Sequence, residues 1–293
     1  MLAVMQAVQQ DNDAGRCELP RGVIIAATPL GNIDDASPRL RLALGRADVI
    51  AAEDTRRTRA LAQALGVEIT GRVVSNFDHN EDSRVHQLID AARAGTVLVV
   101  TDAGMPAVSD PGLKIVDAAW QAGVPVTCFP GPSAVPTALA LSGLSVGKFI
   151  FEGFAPRKDG QRETWLNGLR GEKRAVCFFE SPHRLVETLE MAVNVLGPTR
   201  RAAMCRELTK SHEEVFRGEL AEVLEHARQG VLGEVTVVLD GADERQIDVA
   251  DLVAEVMHRV EQGERMKAVC KEVSAACGVS SRELYQAALA AKK

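Results

Sequence analysis

Short apolar runs alternate with longer amphipathic stretches over the first half of the chain. The runs are rich in β-branched residues, which predicts buried strands, and the longer stretches repeat their apolar residues at helical spacing. Strands separated by helices of this length predict a mainly parallel sheet with right-handed crossovers. The expected strands are 23–27, 48–52, 96–100 and 125–129, and the expected helices are 38–45, one ending at 65, 81–94, 111–123 and one ending near 141.

The pattern changes near residue 148, where we place a domain boundary. A strand is expected directly after it, followed by a polar, basic connector and then by further strands and helices. The sequence therefore predicts a leader at 1–20, an N-terminal α/β domain at 21–147 and a C-terminal α/β domain at 148–242. In the second domain we expect strands at 149–153, 175–180, 201–205 and 234–239, and helices near 183–196 and 217–229.

The last segment, residues 248–293, predicts helices throughout. One apolar helix ends at Gly278, Ser280 or Ser281 can cap the next helix, and that helix carries Leu284 and Leu289. A helix, a turn with glycine and a capped helix are typical of a helix-turn-helix. A packing appendage without nucleic-acid contact is the alternative.

Composition narrows the class of protein. The chain has 293 residues, of which 46% are hydrophobic and 25% charged, which is ordinary globular usage. Its formal net charge of −6 argues against a basic coat but allows a local basic groove. No run reaches the roughly 18 apolar residues of a membrane span, and the N-terminus shows no secretory pattern. Six cysteines without C-x-x-C spacing and six scattered histidines favour a cytoplasmic protein with reduced thiols and no metal site.

Residues 101–112, TDAGMPAVSDPG, form the most informative loop. Loops between a strand and a helix usually have about 2–6 residues, and this loop is longer and nearly free of bulky side chains. Small residues let backbone approach a ligand, and Asp102 can accept hydrogen bonds. Asp110 is expected to cap the following helix. An ordinary connection is the competing interpretation, because Gly, Pro and Asp are common in turns.

Three more loops, 28–32, 53–57 and 130–134, also follow predicted strands. Carboxyl ends of parallel strands meet at one edge of a sheet, so the four loops predict a binding cleft there. None of them has the glycine spacing of a dinucleotide or P-loop site.

Charged residues lie in and near these loops. Asp54 can orient or deprotonate a hydroxyl, or it can simply cap a helix. Residues 180–184 also need only Ser181 as a helix cap, although Glu180 stands beside it. In 206–214, Arg206 and Lys210 can approach an anionic substrate while Glu207 orders the loop, or the segment is a solvated loop.

The segment 156–174 is locally basic in an acidic chain, which is the electrostatic pattern that RNA requires. A solvated linker is the other interpretation. Aromatic residues make up only 4% of the chain, so a stacking platform of several aromatics is not expected. The candidate RNA contacts are Arg56, Arg57, Arg157, Lys158 and Arg162.

Eight motifs occur in a specific order over about residues 21–241: ATPLGNIDD, AAEDTRRT, TDAGMPAVSDPG, PGPSA, FEGFAP, FFESPHRL, CRELTK and GEVTVV. Together they resemble the tetrapyrrole-methylase superfamily, and within it the branch that 2′-O-methylates a cytidine ribose in the decoding region of small-subunit (16S) ribosomal RNA. The loops TPLGN and TDAGMPAVSDPG depart from the superfamily patterns G-x-G-P-G and GDP-x-x-Y-G. Both departures agree with the ribosomal branch and speak against a porphyrin or corrin substrate.

The resemblance implies a two-domain α/β, class III methyltransferase fold with a helix-turn-helix-like C-terminal appendage. It also implies S-adenosylmethionine as the cofactor, held in the cleft between the domains, a homodimer, and 16S rRNA or the small ribosomal subunit as partner. By motif position, the implied donor contacts are Pro29, Leu30, Gly31, Asp102, Ala103, Gly104, Val108, Ser109, Ser133, Ala134, Phe179, Glu180, Cys205, Arg206 and Gly233.

The resemblance implies direct transfer of a sulfonium methyl to a ribose 2′-oxygen. The hydroxyl must lose its proton, and Asp54, Glu180 or Lys210 can assist; a lysine needs a depressed pKa to act as a base. Two other functions stay open at this point: a tetrapyrrole C-methyltransferase and a non-catalytic RNA-binding scaffold.

Overall fold

The computed structural model describes residues 18–77, 81–242, 249–277 and 280–291. The chain divides into two compact units. The larger unit contains two five-stranded sheets with their helices. The smaller unit joins Gly171–Lys173 to Gly241–Lys293. The predicted leader lies almost wholly outside the described residues.

The first sheet is entirely parallel, as predicted, with the strand order β3-β2-β4-β1-β5. Its central strands are apolar because both of their faces are buried. The strands are β1 Gly22–Ala26, β2 Val49–Ala52, β3 Arg72–Ser75, β4 Thr96–Val100 and β5 Val126–Phe129. The helices between them are α1 Pro38–Arg46, α2 Thr55–Ala64, α3 Glu81–Ala94 and α4 Leu113–Gln121.

Alternate residues of these strands contact opposite layers of helices. Ile24 and Ile50 share one buried cluster with Leu40 and Leu44 of α1. The neighbouring strand residues face the other way and pack with side chains of α3 and α4. The first half is therefore doubly wound, with helices on both faces of its sheet. Loops, not helices, lie at the carboxyl edge of that sheet.

Two helix starts test the expected caps. The Ser37 hydroxyl accepts a hydrogen bond from the Leu40 amide at 3.0 Å, with Pro38 at the first turn, which confirms that cap. The expected capping role of Asp110 is wrong, because the cap position before α4 is Gly112, with φ 132°. The chain turns back first: the Pro111 carbonyl accepts from the Ala107 amide at 3.1 Å, and only then does the helix begin.

The second sheet is mixed, with the order β6-β7-β10-β8-β9; β6 and β7 are parallel and the other neighbours antiparallel. Its strands are β6 Phe149–Phe154, β7 Ala175–Glu180, β8 Arg201–Arg206, β9 Glu214–Glu219 and β10 Val235–Leu239. The helices of this half are α5 Ala134–Ser142, α6 Asp159–Gly168, α7 Leu185–Leu196 and α8 Leu220–Arg228.

The helix α5 ties the two halves of the larger unit together. It follows the first sheet in the chain, yet Val135, Ala138 and Leu139 pack against Cys177 and Cys205 of the second sheet. The opposite face of that sheet is covered by α6, α7 and α8. The domain boundary placed at about residue 148 stays a prediction. The helix α5 precedes that boundary in the chain, yet it packs in the core of the second sheet.

The smaller unit is helical, as predicted, with α9 Val249–Glu261, α10 Met266–Cys277 and α11 Ser281–Ala291. Apolar residues of all three helices form one buried cluster that includes Val256, Val273 and Leu284. The Ser280 hydroxyl accepts from the Glu283 amide at 3.4 Å, so one of the two expected caps is present. The expected turn residue Gly278 lies outside the described part of the chain. No described helix is both long and apolar enough to cross a membrane.

Candidate functional site

The loops that follow β1 and β4 are joined to each other by backbone hydrogen bonds. Thr28 and Gly104 exchange N–H···O bonds of 2.9 and 3.1 Å. The Thr28 hydroxyl also donates to the Thr101 carbonyl at 3.1 Å. A Cβ placed on Gly104 would lie 3.2 Å from Leu30 and 4.0 Å from the Ser133 Cα. Glycine at 104 therefore brings three of the loops that were predicted to converge into close approach.

Asp102 connects the central loop to the loop after β2. Its side chain accepts from the Asp54 amide at 3.2 Å and pairs with Arg57 at 3.1 Å, while its own amide donates to Glu53 at 3.1 Å. Burial raises the pKa of the Asp102 carboxyl, and Arg57 opposes that rise. Asp102 is thus a half-buried acceptor held in a fixed position at the carboxyl edge of the sheet.

Strained backbone marks the far part of the central loop. Ala107 and Ser109 have φ values of 67° and 63°, a left-handed conformation that side chains other than glycine adopt at a cost. A Cβ placed on Gly153 would lie 3.5 Å from the Ser109 hydroxyl oxygen, so this loop contacts β6 of the second sheet. Strain of this kind persists where the surroundings enforce it, and it concentrates at functional sites.

The segment after β8 lies against the loop after β1. The Lys210 side chain crosses Gly31 so closely that a Cβ there would overlap it. The Asn32 amide donates to the Thr209 hydroxyl at 3.1 Å. Glu207 and Thr209 also have positive φ values, 49° and 65°. Two loops that are distant in sequence therefore form one surface at the carboxyl edge of the first sheet.

Two carboxylates hold the Lys210 ammonium. Its Nζ donates to Glu207 at 2.8 Å and to Glu234 at 3.2 Å. Burial by itself lowers the pKa of Lys210, but the bonds to Glu207 and Glu234 outweigh it and raise the pKa above its ordinary value. The Lys210 hydrogen bond in turn lowers the pKa of Glu207. The depressed lysine pKa that base catalysis requires is therefore not what this geometry produces.

Glu180 is fully buried and both its oxygens are engaged. One accepts from the Ser181 amide at 2.7 Å and the other from the Thr188 hydroxyl at 2.6 Å, and Arg184 pairs with the carboxylate. The cap position of α7 is Arg184, so the alternative in which Ser181 caps this helix is wrong. The glutamate fastens the start of the helix onto the end of β7 instead.

Asp54 is at the helix cap that one interpretation of the sequence expected. It accepts from the Arg56 amide at 2.8 Å and pairs with the Arg56 guanidinium at 3.1 Å. The side-chain hydrogen bond from Arg56 lowers the pKa of Asp54 to about 2. Asp54 is thus a weakly basic carboxylate near Asp102.

The remaining candidate cofactor contacts are exposed, buried or half-buried. Val108, Ser109, Gly31 and Gly233 are exposed at the loops, whereas Cys205 lies in the core under α5 and burial raises its pKa to about 11. The half-buried candidates are Pro29, Leu30, Ala103, Ser133, Ala134, Phe179 and Arg206.

The predicted RNA contacts divide in the same way. Arg56, Arg57, Arg157 and Lys158 are exposed. Arg162 is only 2% exposed and pairs with Asp159 at 2.6 Å from inside α6, because the expected connector is a helix with a buried face. A guanidinium in that position does not face solvent, which an RNA phosphate contact requires.

Sequence reasoning missed three residues of this site. Thr28 and Thr209 make the hydrogen bonds between loops, and Phe154 stands exposed at the end of β6. Thr28 opens a predicted loop, which was a usable signal. The other two are recognisable only from partners far away in the chain. Among the described residues, no group of three His, Cys, Asp or Glu side chains is placed to hold a metal ion.

The chain is a two-sheet α/β protein: a doubly wound parallel sheet is joined to a mixed sheet, and loops converge at the carboxyl edge of the parallel sheet. The family described as Tetrapyrrole (Corrin/Porphyrin) Methylases matches residues 22–224, and the chain belongs to this family.

Within the family, the chain is similar to curated proteins named ribosomal RNA small subunit methyltransferase I. It is 55% identical to the one from Mycobacterium tuberculosis (strain ATCC 25618 / H37Rv) over 273 residues, 92% of this chain and 95% of the relative. It is 38% identical to that of Halalkalibacterium halodurans over 293 residues, covering 97% and 98%. Among solved structures, uroporphyrin-III C-methyltransferase from Thermus thermophilus in complex with S-adenosylhomocysteine has a TM-score of 0.52 at 18% identity, over 75% of this chain and 97% of that one.

The chain is therefore an α/β methyltransferase of the class III fold, and its cofactor is S-adenosylmethionine. The loops fit such a molecule. Gly104 leaves room beside Leu30 and Ser133, and Asp102 offers a fixed acceptor for a hydroxyl or amine. Which atoms each residue contacts stays a prediction.

Proposed function

We propose that this chain transfers a methyl group from S-adenosylmethionine to the ribose 2′-oxygen of a cytidine in the decoding region of 16S rRNA. The observation that carries the proposal is the 55% identity, over nearly full length, to a relative named for methylation of small-subunit ribosomal RNA. The geometry agrees with an RNA substrate, because Arg57 pairs with Asp102 at the donor loops while 69% of its side chain is exposed.

Methyl transfer from this donor depends more on the orientation of the hydroxyl than on a strong base. The bound donor supplies an electrophilic methyl group on sulfur. The 2′-oxygen forms a bond to that carbon, the carbon–sulfur bond breaks, and the hydroxyl proton passes to solvent. The protein contributes by holding the hydroxyl in line with the breaking bond, which fixed loops accomplish by removing rotational freedom.

The three candidate bases differ in what their surroundings allow. The low pKa of Asp54 makes it a weak base, and Glu180 has both oxygens occupied away from solvent. Lys210 is held as an ammonium by two glutamates. We therefore assign Lys210 the role of a positively charged donor near the oxygen from which the proton departs, where a cation stabilises developing negative charge.

Single-turnover methylation by Asp54→Asn, Glu180→Gln and Lys210→Met variants tests these roles. We expect the largest loss of rate for Lys210→Met, with donor affinity kept. Near-normal rates for all three variants, with donor binding intact, would exclude any proton-transfer or charge-stabilising role for them.

The substrate itself is tested with radiolabelled methyl donor and small ribosomal subunits from a strain that lacks the modification. Nuclease digestion and mass spectrometry should place the label on a cytidine ribose. Label on a base, or none, contradicts the proposal. Label appearing in added uroporphyrinogen III points to a tetrapyrrole methyltransferase, and RNA binding without transfer points to a scaffold.

Two further parts of the proposal concern the setting of the enzyme. A ribosomal substrate places the protein in the cytoplasm, and the family resemblance implies a homodimer. Light scattering on the full chain should give twice the mass of one chain; a single-chain mass in active enzyme would exclude the dimer.

A further inference from the structure

Phe154 is an exposed aromatic residue that follows Gly153, the residue of β6 that approaches the central loop. It is the last residue of β6, and 59% of it is accessible to solvent. Phe149, the first residue of the same strand, is 46% exposed at the opposite end. The strand therefore has one exposed ring near the candidate site and one far from it.

An irregularity in the strand directs Phe154 outward. The pairing of β6 with β7 is regular from Phe149 to Phe151 and then shifts before Phe154. Gly153 within the shift has φ 67°, a conformation that favours glycine. Irregularities of this kind re-aim side chains next to active sites. A Cβ on Gly153 would lie 3.5 Å from the Ser109 hydroxyl oxygen, so the backbone that leads into Phe154 lies next to the central loop.

One aromatic contact holds the ring of Phe154, and a second aromatic contact supports the first. Its ring contacts Phe179 edge to face, with centroids 5.4 Å apart, and Phe179 contacts Phe151 in the same manner at 5.0 Å. The Ala155 amide donates to the Phe179 carbonyl at 3.1 Å and fixes the backbone after it. A ring braced in this way loses little conformational freedom when a flat partner stacks on it.

Two basic side chains lie shortly after Phe154 in the chain. Arg157 and Lys158 are exposed three and four residues after Phe154. The nearby acids are engaged with other side chains, since Glu152 accepts from the Trp165 indole at 3.0 Å and Asp159 pairs with Arg162. A flat apolar surface beside exposed cations matches a nucleotide, whose base stacks while its phosphates are neutralised.

We propose that Phe154 is the stacking platform for an unpaired nucleobase of the RNA substrate at the site of methyl transfer, with Arg157 and Lys158 contacting the adjoining phosphates. The inference rests on the proposed RNA substrate. In this role, Phe154 would select for an unpaired base in a single-stranded target. A platform of several aromatic residues was not expected from the composition. The fold provides one exposed ring that contacts Phe179, which in turn contacts Phe151.

Phe154→Ala, Phe154→Trp and the matched control Phe149→Ala test the proposal. For Phe154→Ala, we expect the KM for unmethylated small subunits to rise by about tenfold to a hundredfold, as loss of one stacked base implies. Calorimetry should show unchanged affinity for S-adenosylmethionine. Phe154→Trp should retain activity, and single-stranded oligocytidylate should quench its fluorescence. Phe149→Ala should behave as wild type, and thermal unfolding checks that each variant is folded.

Three outcomes would overturn the inference. An unchanged KM for small subunits in Phe154→Ala removes the stacking role. Loss of donor affinity assigns the ring to the cofactor, and dissociation into single chains, measured by light scattering, assigns it to contact with a second copy. Failure of the proposed function is recognised separately, because wild-type enzyme would then leave the cytidine ribose of the subunits unlabelled whatever the variants do.

Discussion

Two loops, the central loop and the segment after β8, each contact the loop after β1, and they are held in place by different means. Both contain two residues other than glycine in the left-handed conformation: Ala107 and Ser109 in the central loop, Glu207 and Thr209 in the segment after β8. The central loop is held by backbone hydrogen bonds to Thr28 and, at its start, by the contacts of Asp102 with Asp54 and Arg57, while the rest of it consists mostly of small residues. The segment after β8 is held by the ion pairs of Lys210.

The two ways of holding a loop suit two tasks: leaving space for a ligand and placing a cation. A loop of small residues held by its backbone leaves space for a ligand, whereas a loop held by charges brings a cation to the same edge without filling that space. Removing a charge should therefore impair the reaction more than donor binding, and adding a side chain should do the reverse.

The largest effect is expected from Lys210→Ala. Loss of one preorganised donor to developing charge lowers kcat by about a hundredfold or more. Donor affinity should stay within a few-fold in calorimetry, and Lys148→Ala, an exposed lysine before β6, serves as control. A cation role predicts a uniform fall of the rate across pH. If instead only the rising limb of the pH–rate profile disappears, Lys210 acts as a base.

Gly104→Ala tests the space in the central loop. The added Cβ would lie 3.2 Å from Leu30, and we expect donor affinity to fall by about tenfold, which corresponds to about 1.4 kcal/mol. Gly123→Ala is the matched control, because its φ is also positive, at 65°, but no atom lies within 4 Å of the added Cβ. The control should lose about 1–2 kcal/mol of unfolding free energy and keep its donor affinity. Equal donor affinities in the two variants would contradict a ligand space at Gly104.

Glu207→Gln tests the charged loop through pH. The Lys210 hydrogen bond lowers the folded-state pKa of Glu207 below 4.5, so its contribution to stability is present above that value and is lost as pH falls through the folded pKa. Chemical unfolding should show wild type more stable than the variant by about 1–2 kcal/mol near neutral pH, with the difference shrinking on acidification below 4.5. A difference that does not change with pH would mean that packing, not charge, is lost.

The smallest effect is expected from Arg57→Ala. Loss of one exposed phosphate contact should weaken RNA binding a few-fold and reduce the slope of log affinity against log salt by about 1. Arg93→Ala is the control, since Arg93 pairs with Asp90 at 3.6 Å in the last turn of α3, before β4 begins. Identical salt slopes for the two variants would remove Arg57 from the RNA surface.

Both strands that sequence reasoning missed lie at sheet edges, although the edge strands β5 and β6, which are richer in apolar residues, were predicted. β1 and β4 are buried on both faces and therefore read as continuous apolar runs. β3 and β9 are edge strands with half-exposed, mixed residues, which leave no such pattern. The helix α6 was hidden because a buried arginine, Arg162, occupies its inner face and reads as surface charge.

By itself, the sequence determined the parallel sheet, the helical tail, the long central loop and the motifs that place the chain in its family. These features depend on local periodicity and on residue types that few other conformations accept. The tertiary structure was needed to show that Lys210 lies across Gly31 and that α5 belongs to the core of the second sheet. It was also needed to show that Phe154 is exposed directly after Gly153, the residue that approaches Ser109. Such contacts join residues far apart in the chain, and they follow from how the packed elements meet rather than from any pattern within one of them.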